Sequence, residues 1–257
     1  MAGERGQGLK SFFLALRFLT ILPWGGSLTP KDEEIVSAGK YFPLVGLIIG
    51  LFLWAFYCGA AWIFPETVSV GLLLLFWVVL TGALHLDGLA DCLDGLYGGA
   101  DAEERLRIMK DVHTGTMGTV GLVLFLGLKY FLLWELLTAS FPAYGILLVP
   151  VVARWTPVLL GFLFDYARPE GGLGAALVRG TGKKELVWAT LLAWVPLWVI
   201  GGFWGLGLGA AVALWALLCG WFFKKKINGV TGDVLGAVIE TGEGVAMLYL
   251  LGVSSHG

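Results

Sequence analysis

Six apolar runs, each close to the length of a membrane-crossing helix, limit the fold of this chain more than any other feature. They are Tyr41 to Phe64, Val68 to Leu86, Met117 to Leu137, Tyr144 to Phe164, Leu186 to Trp204 and Leu206 to Phe223. A helix needs about 20 such residues to cross hydrocarbon. A seventh run, Val230 to Val253, is long enough but carries Asp233, Glu240 and Glu243. Leu9 to Pro23 is short for a span and reads as an interfacial or re-entrant helix. Composition agrees: of 257 residues, 58% are hydrophobic and 14% charged, too few charges to cover a soluble domain. The 39 glycines suit close helix approach in lipid, and the 12 tryptophans suit interfacial belts. The expected fold is all-α: a polytopic membrane bundle of six to seven transmembrane helices, with an N-terminal interfacial helix and a cytoplasmic amphipathic helix. No linker or repeat divides residues 1–257, so one membrane domain is expected.

The bases give an orientation. Arg5, Lys10, Arg17, Lys31 and Lys40 precede the first run, and Arg105, Arg107 and Lys110 follow the second. Arg168, Arg179, Lys183 and Lys184 follow the fourth, and Lys224 to Lys226 follow the sixth. The connections near Pro65 to Thr67, Ser140 to Ala143 and Gly205 carry no Lys or Arg. By the positive-inside rule the N-terminus and the long loops face the cytoplasm, as in a multi-pass protein of the cell (inner) membrane. Arg17 interrupts the first apolar run and no small-x-small cleavage pattern follows, so that segment is expected to remain. A net charge of -2 excludes a nucleic-acid surface, which needs clustered bases. Cys58, Cys92 and Cys219 are too few and scattered for a disulfide framework or a zinc site, and read as small apolar side chains. A homo-oligomer is compatible with this sequence but nothing in it specifies one.

The most informative segment is His85-Leu-Asp87-Gly-Leu-Ala-Asp91-Cys-Leu-Asp94-Gly95. If the second run continues as a helix, Asp87, Asp91 and Asp94 stand at i, i+4 and i+7, within about 60° around the axis and about 10 Å along it. Such carboxylates repel, and near lipid each costs desolvation. A cation is needed to offset that. Oxygen donors favour Mg2+ or Mn2+ over zinc, and Mg2+ commonly uses one or two carboxylates plus substrate phosphates. Gly88 and Gly95 flank the stripe and are expected to leave room for a phosphorylated ligand. The bland alternative is a solvated acidic helix end or an ion pair with the Arg105 to Lys110 group. His85 faces away from the stripe and reads as a packing residue.

Asp101-Ala-Glu-Glu104 reads as an N-cap with its capping-box glutamate. The short basic helix that follows suits either lipid headgroups or, through Arg107 and Lys110, substrate phosphates. His113, in a turn before Gly115-Thr-Met-Gly118, is a candidate base. Ionisable residues inside spans are functional candidates by default. Lys129 and Arg154 are such, as are Asp233 and Glu240, seven apart on one face with Gly236 between. They form either a structural ion-pair network or direct substrate contacts. Asp165 and Arg168 sit at a cytoplasmic end, and Glu135 and Glu243 read as structural or snorkelling.

At these residues the chain resembles the cobalamin synthase family, also called adenosylcobinamide-GDP ribazoletransferase. The resemblance is carried by Leu16-Arg-Phe-Leu-Thr-Ile-Leu-Pro23, Tyr41-Phe-Pro-Leu-Val-Gly46, the His85 to Gly95 motif, Arg107-Ile-Met-Lys-Asp111, Gly115 to Gly118 and Thr231-Gly-Asp233, in order over nearly the whole chain. It implies a Mg2+-dependent membrane enzyme. The 3'-hydroxyl of alpha-ribazole, or of its 5'-phosphate, attacks the cobinamide-linked phosphorus of adenosylcobinamide-GDP. GMP leaves, and adenosylcobalamin or its 5'-phosphate forms. On this reading Asp87, Asp91 and Asp94 hold Mg2+, and Arg107, Lys110 and Arg154 hold phosphates. His113, Lys129, Arg168, Thr231, Asp233 and Glu240 complete the substrate site, and Asp111 or an unliganded aspartate is the base. Two rivals remain. A CDP-alcohol phosphotransferase would continue its acidic motif with Ala-Arg, where this chain has Leu96-Tyr-Gly-Gly99. An ion-coupled transporter would need a repeated pair of broken helices, which is not evident.

Overall fold

The computed structural model describes residues 2–23, 30–138 and 143–254. Among these the chain is helical throughout, with a single isolated bridge between Tyr166 and Val230. Eleven α-helices follow in order: α1 Ala2–Leu19, α2 Asp32–Gly39, α3 Phe42–Ile63, α4 Glu66–Leu80, α5 Leu84–Gly98, α6 Ala102–Ile108, α7 Thr116–Thr138, α8 Leu148–Leu163, α9 Leu173–Gly180, α10 Lys183–Ile227 and α11 Gly232–Ser254. A 3-10 turn, Ala143–Leu147, leads into α8. The side chain of Arg5, and the Ser140 to Ala143 connection apart from the backbone of Ala143, lie outside the described residues.

By length and composition α3, α7, α8 with its leading turn, α10 and α11 can each cross a membrane, and α4 with α5 makes a sixth candidate. Two differences from the sequence expectation follow from backbone conformation. The second run does not continue as one helix into the aspartates: α4 stops at Leu80 and α5 departs at 86°. Gly82 and Ala83 adopt left-handed φ values of 62° and 55°, which no helix contains. Carbonyls at the break gain further partners. The Thr81 hydroxyl donates to the carbonyls of Trp77 and Val78, and the Ile21 N–H donates to that of Leu80 at 2.9 Å. The tail of α1 is therefore tied to the break.

The second difference lies in α10, whose 45 residues are interrupted at Gly202 (φ 56°, ψ -136°). In a straight helix residues 197 and 205 would be about 12 Å apart. Instead a Cβ at Gly205 would collide with the Leu197 carbonyl, and Gly209 faces Leu197 and Trp194. The chain folds back on itself, so α10 supplies both the fifth and the sixth expected runs. The turn is at Gly202, where only glycine tolerates the conformation at little cost, rather than at Gly205.

Helix α8 is the hub, with nearly every residue buried between α3, α10 and α11. Gly46 and Gly50 of α3 sit directly on backbone of Pro150, Val151 and Leu147, the small-residue packing that lets membrane helices approach. Helix α1 buries Ala15, Leu16 and Leu19, and the hydroxyl of its Ser11 donates to Ser37 of α2.

Candidate active site

The acidic stripe lies on α5, and α11 brings a fourth carboxylate to it. A Cβ at Gly88 would stand 2.7 Å from the Asp233 carbonyl, and Gly236 is packed against the Cα atoms of His85 and Gly88. The two helices cross in antiparallel contact on glycine, which sets Asp233 among the α5 acids. Asp91 lies within electrostatic reach of Asp233, Asp87, Asp94 and Arg168. Gly88 and Gly95 therefore do not make room for a ligand, as expected from sequence. Gly88 admits α11, while Gly95 admits Met109 and the Arg105 carbonyl at the end of α6.

The four acids differ in what they hold. Asp94 accepts the N–H groups of Gly115 (2.6 Å) and Gly118 (2.7 Å), one on each carboxylate oxygen. It thus caps the start of α7 from another helix, where the helix dipole and the unpaired amides favour an anion. Neither glycine has space for a Cβ beside that carboxylate. Asp233 accepts Arg168 Nη2 at 2.7 Å and the Thr231 hydroxyl at 3.3 Å, and Thr231 also takes the Val234 N–H. Asp87 is exposed and Asp91 half-buried.

Arg168 reaches the acids because its loop is fastened to the start of α11. The Ala167 N–H donates to Val230, the Val230 N–H donates to Asp165, and Arg179 donates to the carbonyls of Arg168 and Pro169. Nearby, Lys110 Nζ stands 3.4 Å from Glu170. That contact brings the segment after α6 to the same rim. Backbone hydrogen bonding, and then the Lys110 charge, hold the Glu170 carboxyl below its usual range. His113 Nδ1 lies 2.8 Å from Asp111 Oδ1, and its backbone N–H donates to the same oxygen. These bonds hold the Asp111 carboxyl below the ordinary carboxylate range. With Nδ1–H toward Asp111, the imidazole presents Nε2 as a proton acceptor.

The structure thus brings together Asp87, Asp91, Asp94, Asp233, Thr231 and Arg168, with Lys110, Asp111 and His113 on the rim. It does not bring in Arg107, whose side chain is 73% exposed and lies 3.9 Å from Glu104. Nor does it bring Lys129, Arg154 and Glu240 to the acids. Lys129 contacts Glu240 at 2.7 Å, and Lys129 and Arg154 both bond Glu243, which is fully buried and forms the hub. Lys129 also sits 4.2 Å over the Trp77 ring. Asp101 caps its helix as expected, its carboxylate accepting the Glu104 N–H at 2.9 Å, but the expected capping box is not closed, because the Glu104 carboxylate accepts the N–H of Ala100 and not that of Asp101. Sequence reading misses Arg179, Gly115 and Gly118 as site-builders. Their partners lie on other segments, and only the Gly-Thr-Met-Gly pattern marked a special turn.

Among the described residues no three His, Cys, Asp or Glu side chains form a ready chelate. The donor chemistry nevertheless fits Mg2+. Asp87, Asp91 and Asp233 offer only hard oxygens, and Mg2+ typically takes one or two carboxylates and fills its remaining positions with phosphate oxygens and water.

Fold and site together define a multi-pass helical membrane protein with a carboxylate-lined site. An arginine-bearing loop closes one side of that site. The chain belongs to the cobalamin-5-phosphate synthase family, which it matches over residues 11–251. It is 37% identical over 248 residues to the adenosylcobinamide-GDP ribazoletransferase of Geotalea daltonii, covering 96% of this chain and 99% of that one. To the proteins of the same name from Pseudomonas putida and Chlorobium phaeobacteroides it is 39% identical, covering 93% and 95% of this chain and 97% and 98% of theirs. No solved structure matches.

Proposed function

We propose that this protein joins adenosylcobinamide-GDP to alpha-ribazole or its 5'-phosphate, releasing GMP, in the membrane-bound assembly of cobalamin. The observation that carries this reading is the convergence of Asp87, Asp91 and Asp233 with Arg168, in a chain nearly coextensive with relatives bearing that name. Asp87, Asp91 and Asp233 are the groups that would hold Mg2+. When bound, the ion neutralises the diphosphate oxygens and eases departure of GMP. Arg168 and Lys110 bind phosphate oxygens, Arg168 by exchanging Asp233 for the substrate anion. His113 Nε2 takes the proton of the 3'-hydroxyl while Asp111 holds the ring in position. The ribose oxygen bonds to the corrinoid-linked phosphorus, the bridging P–O bond breaks, and its electron pair leaves with GMP. Asp94 is assigned a positioning role, fixing the turn that carries His113. Lys129, Arg154, Glu240 and Glu243 are assigned to the scaffold. We place the protein in the cell (inner) membrane with this site on the cytoplasmic side, a reading supported by the partition of Lys and Arg.

Purified protein in vesicles, given Mg2+, adenosylcobinamide-GDP and alpha-ribazole, is expected to release GMP and form a corrinoid product. Metal-dependent uptake into the vesicles without GMP would favour a transporter instead.

A further inference from the structure

Beside the acids lies a cavity of about 210 Å3 whose wall includes Asp87, Gly232 and Asp233. Most of the remaining wall is apolar, including Phe18, Phe42, Leu84 and Leu173. These four residues also line an adjoining cavity of about 320 Å3, and the Phe18 and Phe42 rings stack at 5.7 Å. Leu84 and Leu173 stand 44% and 46% exposed. One further polar side chain belongs to the wall. His85 is 2% exposed, and neither of its ring nitrogens has a hydrogen-bond partner. A buried polar group without a partner is costly, and one that meets its partner in a ligand contributes to selectivity.

We infer that this recess binds the heterocyclic base of the acceptor, a flat, alkylated two-ring group, with His85 donating to its one unsubstituted ring nitrogen. The inference rests on the ribazole-transfer reading above and names the subsite that reading lacks. Of the groups the reaction brings together, the corrin macrocycle is too large for the space. Guanine carries an amide and an amino group that these mainly apolar walls would leave largely unpaired. A dimethylbenzimidazole has no N–H donor once its ring nitrogen carries the ribose, and its methyl groups suit the leucine and phenylalanine surface. Seated there, it places the ribose at the mouth of the recess, beside Asp87 and Asp233, where its 3'-hydroxyl meets the diphosphate.

The test uses the full chain in vesicles, with KM measured for each substrate and binding of radiolabelled alpha-ribazole measured by equilibrium dialysis. Leu173→Trp, which narrows the recess from an exposed position, is expected to weaken ribazole binding about tenfold and to leave KM for the GDP-corrinoid within about twofold. His85→Phe is expected to weaken ribazole in the same way, and His85→Gln to restore part of the loss. Leu173→Ala cannot crowd the bundle. It is expected to reduce the preference for dimethylbenzimidazole riboside over unsubstituted benzimidazole riboside. A rise in KM for the GDP-corrinoid instead would assign the recess to guanine or corrin, and unchanged ribazole binding in both Leu173→Trp and His85→Phe would assign it to a lipid chain. Either overturns the inference. Wild-type protein that releases no GMP overturns the underlying reading instead.

Discussion

Two of the aspartates on α5 have separable jobs. Asp94 spends both carboxylate oxygens on the amides that open α7, while Asp87 has no such commitment. Removing a charged acceptor from two amides costs on the order of 2 kcal/mol. Asp94→Ala is therefore expected to lower the thermal midpoint in detergent as well as the activity, and Asp87→Ala to abolish activity while leaving the midpoint within a degree or two. Equal destabilisation by both would contradict the division. On the rim, the His113 hydrogen bonds favour the ionised form of Asp111, so its carboxyl is expected to titrate below an ordinary aspartate. A 13C titration checks this: the midpoint should rise toward about 3.9 in His113→Ala, the value for an unperturbed aspartate. The i, i+4, i+7 stripe is legible in the sequence because it depends only on helix geometry. What Asp94 binds is not, since its partners lie 21 and 24 residues further on and in a different helix.

Breaks between helices decide where the site residues point. The run from Val68 to Leu86 looks continuous to any hydropathy argument, yet the chain turns through 86° within it. Gly82 alone hints at a turn. Ala83 carries no such hint and pays for its left-handed conformation, which disfavours a non-glycine residue by roughly 1–2 kcal/mol. Ala83→Gly is expected to stabilise the protein by about 1 kcal/mol without loss of turnover, read as a shift in unfolding midpoint. A destabilised variant would mean that the Ala83 methyl contributes more to packing than its backbone costs. The fold-back at Gly202 is the converse case. The sequence separates the two arms correctly by their apolar lengths but misplaces the turn by three residues, because Gly201, Gly202 and Gly205 stand close together and only conformation distinguishes them.

For the molecule as a whole, scarcity of charge makes each interior charge consequential. Two bases and two acids are buried together, with Glu243 bonded to both Lys129 and Arg154. The sequence supplies the right four residues but leaves Lys129, Arg154 and Glu240 open between an ion-pair network and substrate contacts, and gives Glu243 a structural or snorkelling role without marking it as the centre. Which acid becomes the hub depends on how α11 is rotated against α7 and α8, and no local pattern encodes that. Leaving buried cations without their acid costs about 3–5 kcal/mol. Glu243→Ala is accordingly expected to fold poorly or not at all. Restoring neutrality with Lys129→Met in the same chain should recover part of the yield of folded protein in detergent, and no recovery would argue against charge pairing as the cause.

The central claim is that Asp87, Asp91 and Asp233 together serve a metal-bound diphosphate. Mn2+ binding followed by electron paramagnetic resonance, with and without GDP, tests it most directly in reconstituted wild-type protein and in Asp87→Asn, Asp91→Asn and Asp233→Asn. The account predicts weak Mn2+ binding to the free protein, at least tenfold tighter binding when GDP is present, and loss of that enhancement in each variant. Tight binding without nucleotide, or an enhancement that survives all three substitutions, would contradict it.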